Sequence, residues 1–144
     1  MVHRLVAALI LQGDRILLGK RSAGRAFFPN VWDVFGGHIE LAEQPLQTLI
    51  RELREELDIM PTRWMELETI RESVPERDNK PSHDLFVHFY CVPGWTGKPI
   101  NRQPEEHSVI QWFSYAEAVK LNLAHSSYPG LFAQCLQSIT DKRQ

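Results

Sequence analysis

Three glutamates lie within five positions in the segment from Gly36 to Ile59, which reads GGHIELAEQPLQTLIRELREELDI. Glu52 and Glu56 are four positions apart, and on a helix two like charges at this spacing repel each other by about 0.2–0.5 kcal/mol. A divalent cation would relieve the repulsion, because Mg²⁺ and Mn²⁺ prefer carboxylate oxygens as ligands. The spacing of Glu52, Glu55 and Glu56 therefore indicates a metal site.

The alternative is an acidic helix face that is simply solvated, and two ion pairs support it. Arg51 precedes Glu55 by four positions, and Arg54 precedes Asp58 by four. Both pairs place the cation on the N-terminal side, which is the weaker orientation. The other two glutamates have no such cation, so the helix alone leaves both interpretations open.

The element that must carry these acids is a helix beginning near Pro45, because proline suits the first turn, where its missing N–H does no harm. Apolar residues recur after it at helical spacing, at Leu46, Leu49, Ile50, Leu53 and Leu57. At about 100° per residue they form one stripe, and the glutamates fall on a sector away from it. The pattern predicts an amphipathic helix that packs by its apolar stripe and turns its acids outward.

The remaining elements alternate between strands and helices along the chain. Apolar runs and alternating patterns predict strands at 5–11, starting at 15, and at 32–39, 64–73, 84–92 and 109–113. Loops are predicted at 20–31 and, from their Gly and Pro content, at 93–104. Ser114 and Glu117 form a capping box for a short helix to about 121, and a last helix covers 128–139. This order predicts one α/β domain over 1–144 with a mixed sheet.

The residues around the first helix resemble the Nudix box, whose pattern is G-x5-E-x7-R-E-U-x-E-E-x-G-U, with U a bulky aliphatic residue. The chain matches eight of the nine constrained positions, at Gly37, Glu43, Arg51, Glu52, Leu53, Glu55, Glu56 and Ile59. A hairpin before the box and a strand ending in Trp112-Phe113 after it also look Nudix-like. The resemblance therefore extends over most of the chain.

This resemblance implies an α/β/α sandwich with a mixed central sheet, and hydrolysis of a diphosphate bond in a nucleotide. It implies Mg²⁺ as the cofactor, with Mn²⁺ as a substitute, because a metal ion neutralises phosphoryl oxygens and lowers the pKa of bound water. The metal ligands would be Glu52, Glu55, Glu56 and the carbonyl of Gly36. Phosphoryl transfer depends on positioning and electrostatics, so carboxylates on a rigid helix suit it.

The resemblance also implies supporting and catalytic roles. Arg51 and Glu43 would hold a metal-binding glutamate in its rotamer. The general base varies within the family: Glu52 is one candidate, and an acid just before the last strand, Glu105 or Glu106, is another. We favour Glu106. The catalytic set is then Arg51, Glu52, Glu55 and Glu106.

The chain departs from the family pattern at two positions. Asp58 replaces the glycine that ends the helix, and because aspartate tolerates a left-handed conformation better than most residues, we expect it to serve as the C-cap. Phe35 stands where many Nudix chains have proline before the glycine pair, and it could pack in the core or line the site. Neither change removes a carboxylate.

Substrate contacts are predicted on the loop at 20–31 and its borders. Arg21 follows Lys20 at the end of the second strand, where related enzymes often contact phosphate. Phe27 and Trp32 could stack on a base, since stacking is the general way to hold one. The alternatives are a solvated charge for Arg21 and core packing for the two aromatic residues.

Composition limits the other classes of function. The net charge of −2 gives no general nucleic-acid or membrane surface, and the apolar run at 5–11 is too short to cross a bilayer. No signal-peptide pattern is present, so a cytoplasmic location is expected.

Cys91 and Cys135 match no metal-ligand spacing and are expected to be buried free thiols. The six histidines form no metal-like cluster in the sequence either; His88 is expected to be structural, and His107 and His125 could line a pocket.

The leading hypothesis is a diphosphatase that converts a small nucleoside triphosphate, canonical or oxidised, to the monophosphate and diphosphate. Its partner would be the nucleotide, with no DNA and no membrane involved. A variant is cleavage of ADP-ribose or a nucleotide sugar by an enzyme that forms a homodimer. An isopentenyl diphosphate isomerase is disfavoured because neither cysteine has a suitable setting, and a nucleotide-sensing domain is disfavoured because every box glutamate is present.

Overall fold

The computed structural model describes residues 1–25 and 28–143, with side chains described as far as Ile139. Seven strands and three helices occur within these residues. They are β1 (Val2–Gln12), β2 (Arg15–Arg21), β3 (Trp32–Asp33), β4 (Phe35–His38), α1 (Pro45–Leu57), β5 (Met60–Val74), β6 (His83–Thr96), β7 (His107–Ser114), α2 (Tyr115–Ala118) and α3 (Tyr128–Arg143). None of these helices is long and apolar enough to span a membrane.

All seven strands join one sheet, in which β1 is the central strand. The order is β3-β2-β1-β6-β5, with β4 also paired to β1 and β7 also paired to β2. β1 and β6 run parallel, whereas the other pairs are antiparallel, so the predicted mixed sheet is confirmed. The near-continuous apolar run in β1 follows from this position, because a strand covered on both faces has no polar side.

Helices cover both faces of the sheet. Alternate residues of β1 divide between two core clusters: Val6 and Ala8 pack with Leu49 and Leu53 of α1, whereas Leu9 packs with the residues that α3 buries. The first helix therefore lies on one face, and α2 and α3 lie on the other. The predicted α/β/α sandwich is confirmed.

The predicted loop at 93–104 is wrong in its first four residues, which continue β6 to Thr96. They pair with the start of β5, which begins at Met60 rather than at the predicted Trp64. The register shifts where β6 passes Pro93, so that two residues of β6 stand opposite one of β5. Such a bulge accommodates a proline, which has no N–H for the ladder.

The expectation of two free thiols is also wrong, because Cys91 of β6 and Cys135 of α3 form a disulfide. Their Cα atoms are 5.6 Å apart, within the range that a disulfide spans. The pairing arises where α3 packs on the sheet. Two cysteines separated by 44 positions carry no sequence signal of that contact.

Anchoring of α1 should depend on Leu53, which is completely buried on the apolar face of the helix. The Leu53→Ala change should lower the free energy of unfolding by about 2–5 kcal/mol, because it leaves a cavity in the core. Urea denaturation measures this loss. The matched control is Leu41→Ala at a fully exposed position, which should change the free energy of unfolding by no more than about 0.5 kcal/mol. Equal effects of the two changes would contradict this packing.

Candidate active site

The carboxylate-bearing helix lies closely against β4, and the Gly36-Gly37 pair makes this approach possible. A side chain at Gly36 would overlap the Val6 carbonyl of β1, and one at Gly37 would overlap the Glu52 carboxylate of α1. Neither glycine has a positive φ. The pair is therefore required by the close packing of strand, strand and helix rather than by a turn.

Arg51 connects the acids of this site to one another and to β4. Its guanidinium binds Glu43 through two hydrogen bonds, from Nε at 2.7 Å and from Nη2 at 3.0 Å. Nη1 donates to Glu52 at 2.8 Å and to Glu55 at 3.4 Å, while Nη2 also donates to the carbonyl of His38 at 3.0 Å. A planar guanidinium suits such a fork of contacts. Arg51 and Glu43 thus hold the positions predicted for them beside the box glutamates.

Glu43 is fixed as a carboxylate by further donors. The buried Thr48 donates its hydroxyl at 2.7 Å, and the Glu40 N–H donates at 3.0 Å. The hydrogen bonds from Arg51, then those from Thr48 and the backbone, lower the pKa of Glu43 to about 2. Thr48 was missed from the sequence, where a threonine between apolar helix positions gives only a weak signal.

Glu56 does not lie on a solvated face, the alternative left open from the sequence, because it is 5% exposed between α1 and β4. Its Oε2 accepts a hydrogen bond from the Gly36 N–H at 3.2 Å. Burial, followed by repulsion from Glu52 and Glu106, raises the pKa of Glu56 to about 9. The structure therefore places a carboxyl group inside the protein with acidic neighbours, and no cation among the residues it describes pairs with this group.

The other two box glutamates differ in their exposure. The Glu52 side chain is 13% exposed, and burial raises its pKa although Arg51 opposes this shift. The Glu55 side chain is 49% exposed and lies at the rim. The prediction that all three acids turn outward is thus correct for Glu55 alone, since β4 covers the other two.

The donor set can be compared with the needs of a divalent cation. Three carboxylates and a backbone carbonyl are the hard oxygen ligands that Mg²⁺ prefers, and the crowding of carboxyl groups that raises the pKa of Glu56 is what a cation would relieve. Among the described residues no three His, Cys, Asp or Glu side chains converge on one point, because Arg51 holds Glu52 and Glu55 in their present rotamers. The residues fit the metal chemically, and metal binding would require these rotamers to change.

Glu106 lies near the glutamates of α1, as its repulsion of both Glu52 and Glu56 shows. Its backbone carbonyl accepts hydrogen bonds from the Ser22 N–H at 2.9 Å and from Arg25 at 3.4 Å. These contacts fix the loop before β7 against the end of β2. Glu105, the alternative, is exposed.

Arg21 is largely engaged within the protein. Its Nη1 lies 3.2 Å from Asp33 in a mostly buried ion pair, and its Nε donates to the Phe28 carbonyl at 3.1 Å. Asp33 also accepts hydrogen bonds from the Tyr128 hydroxyl at 2.5 Å and the Val34 N–H at 2.8 Å. This polar group beside the site was missed from the sequence, since Tyr128 lies 95 positions from Asp33.

Of the two aromatic residues proposed to stack on a base, the structure describes Trp32. Trp32 is half-buried, packs edge-on against Phe113 at a ring distance of 4.9 Å, and borders the core under α3. Phe27 lies outside the residues that the structure describes. Its neighbour Phe28 is largely exposed, which leaves an aromatic face open to solvent beside Arg21.

The two departures from the box pattern are explained by local structure. Asp58 has φ 57° and ψ 41°, so it ends α1 in the left-handed conformation as predicted. Its carboxylate lies 3.5 Å from Arg102, rather than pairing with Arg54 as the spacing indicated. Phe35 is fully buried in the core and packs against His107, so of the two alternatives it takes the core position.

Three histidines singled out in the sequence have separate environments. His107 is buried, and this burial lowers its pKa to about 4, so the ring is neutral. His125 contacts Glu72 and the Ser127 hydroxyl at the start of α3. His88 contacts Arg4 at 3.3 Å and Thr69 at 3.3 Å, in agreement with the structural role expected for it.

The comparisons with known proteins agree with this fold and site. The NUDIX domain model matches residues 1–135. The chain is 34% identical over 130 residues to the CTP pyrophosphohydrolase of Escherichia coli, covering 90% of this chain and 88% of that protein. It is 29% identical over 92 residues to the E. coli 8-oxo-dGTP diphosphatase, covering 64% and 66%. The solution structure of the E. coli ORF135 protein superposes with a TM-score of 0.73 at 28% identity, covering 99% of this chain and 93% of that one.

A sandwich that places a glutamate-rich helix against a glycine pair, together with these matches, defines a hydrolase that acts on acid anhydrides. The chain belongs to the NUDIX family.

Glu56 should make the metal-free protein less stable as the pH rises. Its pKa in the folded protein, about 9, is above the ordinary value of 4.5, so its contribution to stability is complete below pH 4.5 and is lost as the pH rises to about 9. The Gln side chain of Glu56→Gln cannot titrate. The free energy of unfolding of this variant should therefore exceed that of wild type by about 1–3 kcal/mol at neutral pH, which is the usual cost of a poorly compensated buried group. Urea unfolding in a chelator across this range measures the difference. The control is Glu68→Gln at an exposed position, and a difference that does not grow with pH would contradict the burial of Glu56.

The Arg51→Ala change should destabilise the protein in a pH-dependent way. Because the pKa of Glu43 is lowered from 4.5 to about 2, its contribution to stability is present above pH 4.5 and disappears as the pH falls towards 2. The free energy of unfolding should therefore differ most between wild type and variant above pH 4.5. Urea unfolding along an acid series measures this, with Arg54→Ala, on the exposed side of the same helix, as the matched control. A difference that is constant with pH would show that Arg51 acts without Glu43.

Proposed function

We propose that the protein hydrolyses a small nucleoside triphosphate, canonical or oxidised, to the nucleoside monophosphate and diphosphate in the presence of Mg²⁺. The observation that carries this proposal is the buried carboxyl group of Glu56 beside Glu52 and Glu106, with its pKa raised to about 9. A protein gains no stability from such crowded negative charge. The arrangement is accounted for if a cation and the substrate phosphates bind there.

The residues of the chain that would hold the ion are Glu52, Glu55, Glu56 and the Gly36 carbonyl. When bound, Mg²⁺ supplies charge neutralisation at the phosphoryl oxygens and lowers the pKa of bound water. Before the ion binds, Arg51 holds the carboxylates near one another, because it contacts Glu52, Glu55 and the fixed Glu43 at once. Binding of the ion would exchange the contacts of Arg51 with Glu52 and Glu55 for contacts with the metal. The rigid setting of α1 between β4 and the core supports the positioning that phosphoryl transfer needs.

Glu106 is the general base in this proposal. A base must reach the proton that it removes, and Glu106 is partly buried near both Glu52 and Glu56, whereas Glu105 is exposed. The contacts of its carbonyl with Ser22 and Arg25 would hold it towards the site. Arg21, Phe27 and Trp32 remain the proposed substrate contacts, with Arg21 oriented by Asp33.

The triphosphate is favoured by the relatives. One that covers most of this chain is named as acting on CTP, and another on 8-oxo-dGTP. ADP-ribose or a nucleotide sugar is the second substrate class to be tested, because the anhydride bond is the same.

Turnover of a substrate panel by wild type and Glu56→Gln tests the proposal. The panel holds CTP and the other triphosphates, 8-oxo-dGTP, ADP-ribose and a nucleotide sugar, each with Mg²⁺, and release of diphosphate or monophosphate is measured. We expect triphosphates to yield diphosphate with wild type, and Glu56→Gln to lose at least about a hundredfold in kcat because a ligand to the charged transition state is lost.

The control is Glu68→Gln, which removes an exposed carboxylate by the same chemical change and should keep wild-type turnover. Thermal unfolding with and without Mg²⁺ provides a second readout, since the ion should stabilise wild type more than Glu56→Gln. Full activity of Glu56→Gln would contradict the metal assignment. If ADP-ribose alone were turned over, the proposed substrate would be of the second class and not a triphosphate.

A further inference from the structure

Three histidines from distant parts of the sequence meet on one face of the sheet. His3 lies on β1, His38 at the end of β4 and His83 at the start of β6. β1 pairs with both other strands, through Leu5 opposite His38 and through His3 opposite Leu85. Side chains alternate along a strand, so all three imidazoles project to the same side of the sheet.

The rings are in contact with one another. His3 Nε2 lies 3.1 Å from His83 Nδ1, and the centroids of these two rings are 5.1 Å apart. The ring of His38 approaches His3 edge-on, with centroids 5.5 Å apart. The three side chains thus form a row across three neighbouring strands.

The separation of the two ring nitrogens agrees with two interpretations. A hydrogen bond between neutral imidazoles gives a distance close to 3 Å. Two imidazoles bound to one tetrahedral ion, with metal–nitrogen bonds of about 2.0–2.1 Å, have their nitrogens about 3.3 Å apart. The observed 3.1 Å is therefore close to the nitrogen–nitrogen separation that a shared metal ion needs.

His38 must move to reach a shared ion. As the side chains stand, no three potential ligands in the described part of the chain surround a common point. His38 is exposed, however, so rotation of its side chain meets little resistance, and its ring already touches that of His3.

We propose that His3, His38 and His83 form a binding site for a transition-metal ion of the Zn²⁺, Ni²⁺ or Cu²⁺ class. Imidazole nitrogen favours these ions, whereas Mg²⁺ prefers carboxylate oxygen. The histidine row therefore selects a different metal from the glutamates of α1. The two sites are neighbours, because the carbonyl of His38 accepts a hydrogen bond from Arg51 at 3.0 Å. A change at the histidines could therefore alter turnover through Arg51, so metal binding is the quantity to measure.

The test is a calorimetric titration of Zn²⁺ into protein that carries no histidine tag, with excess Mg²⁺ to occupy oxygen ligands. We expect one equivalent to bind to wild type. His3→Gln, His38→Gln and His83→Gln should each weaken binding by about tenfold or more, because one ligand bond is lost. The matched control is His88→Gln, on the same strand as His83 but on the opposite face, and it should bind as wild type does.

A second measurement uses wild type alone and so does not depend on the folding of any variant. Zn²⁺ should shift the ring ¹⁵N resonances of His3, His38 and His83 in an NMR spectrum and leave those of His88 and His107 in place. Saturable binding that none of the three substitutions weakens would overturn the proposal, and so would ring resonances that stay unshifted. Wild-type affinity in His38→Gln would overturn the three-ligand site.

Discussion

The guanidinium of Arg51 is the contact on which the geometry of the carboxylate site depends. Within the described part of the chain it is the one positive group that touches all of Glu43, Glu52 and Glu55, and it reaches the backbone of β4 through the His38 carbonyl. These three acids, two from the helix and one from its preceding loop, would otherwise repel one another without a fixed arrangement. The five N–H donors of the guanidinium point in fixed directions, so the carboxylates that accept from them are held at defined positions despite their repulsion.

This arrangement requires that α1 cannot rotate, and the core provides that restraint. Leu49, Leu53 and Leu57 are completely buried against β1, so the opposite side of the helix is fixed in its direction. The flank of the helix beside this apolar face is also covered, because the Gly36 N–H of β4 binds Glu56 and Gly37 lies against Glu52. The helix therefore has an apolar face, a covered acidic flank and an open rim at Glu55.

The sequence predicted the scaffold well, for reasons that are local. Pro45, the leucine stripe and Asp58 determine where α1 begins, packs and ends, and the apolar run of β1 determines the centre of the sheet. The box spacing also predicted that Glu43 and Arg51 support the box glutamates, and the structure places the two in contact beside Glu52. What it did not predict depends on contacts between distant residues. The burial of Glu56 depends on how β4 crosses the helix, and the bond between Tyr128 and Asp33 depends on where α3 packs. The histidine row and the Cys91–Cys135 disulfide likewise join residues that no short-range pattern connects.

The disulfide adds a second covalent connection between two distant parts of the chain. Between Cys91 and Cys135 the backbone becomes a closed ring that contains the end of β6, all of β7 and α2, and the loop that carries Glu106. A single cut anywhere in that ring, for instance in the exposed part of the segment at 97–106, leaves both fragments attached to each other. The loop with the proposed base lies between β6 and β7, and the disulfide encloses this loop and β7 in one covalent ring with α3. Nicked and intact molecules would have the same covalent mass apart from one added water, and only reduction would separate the pieces.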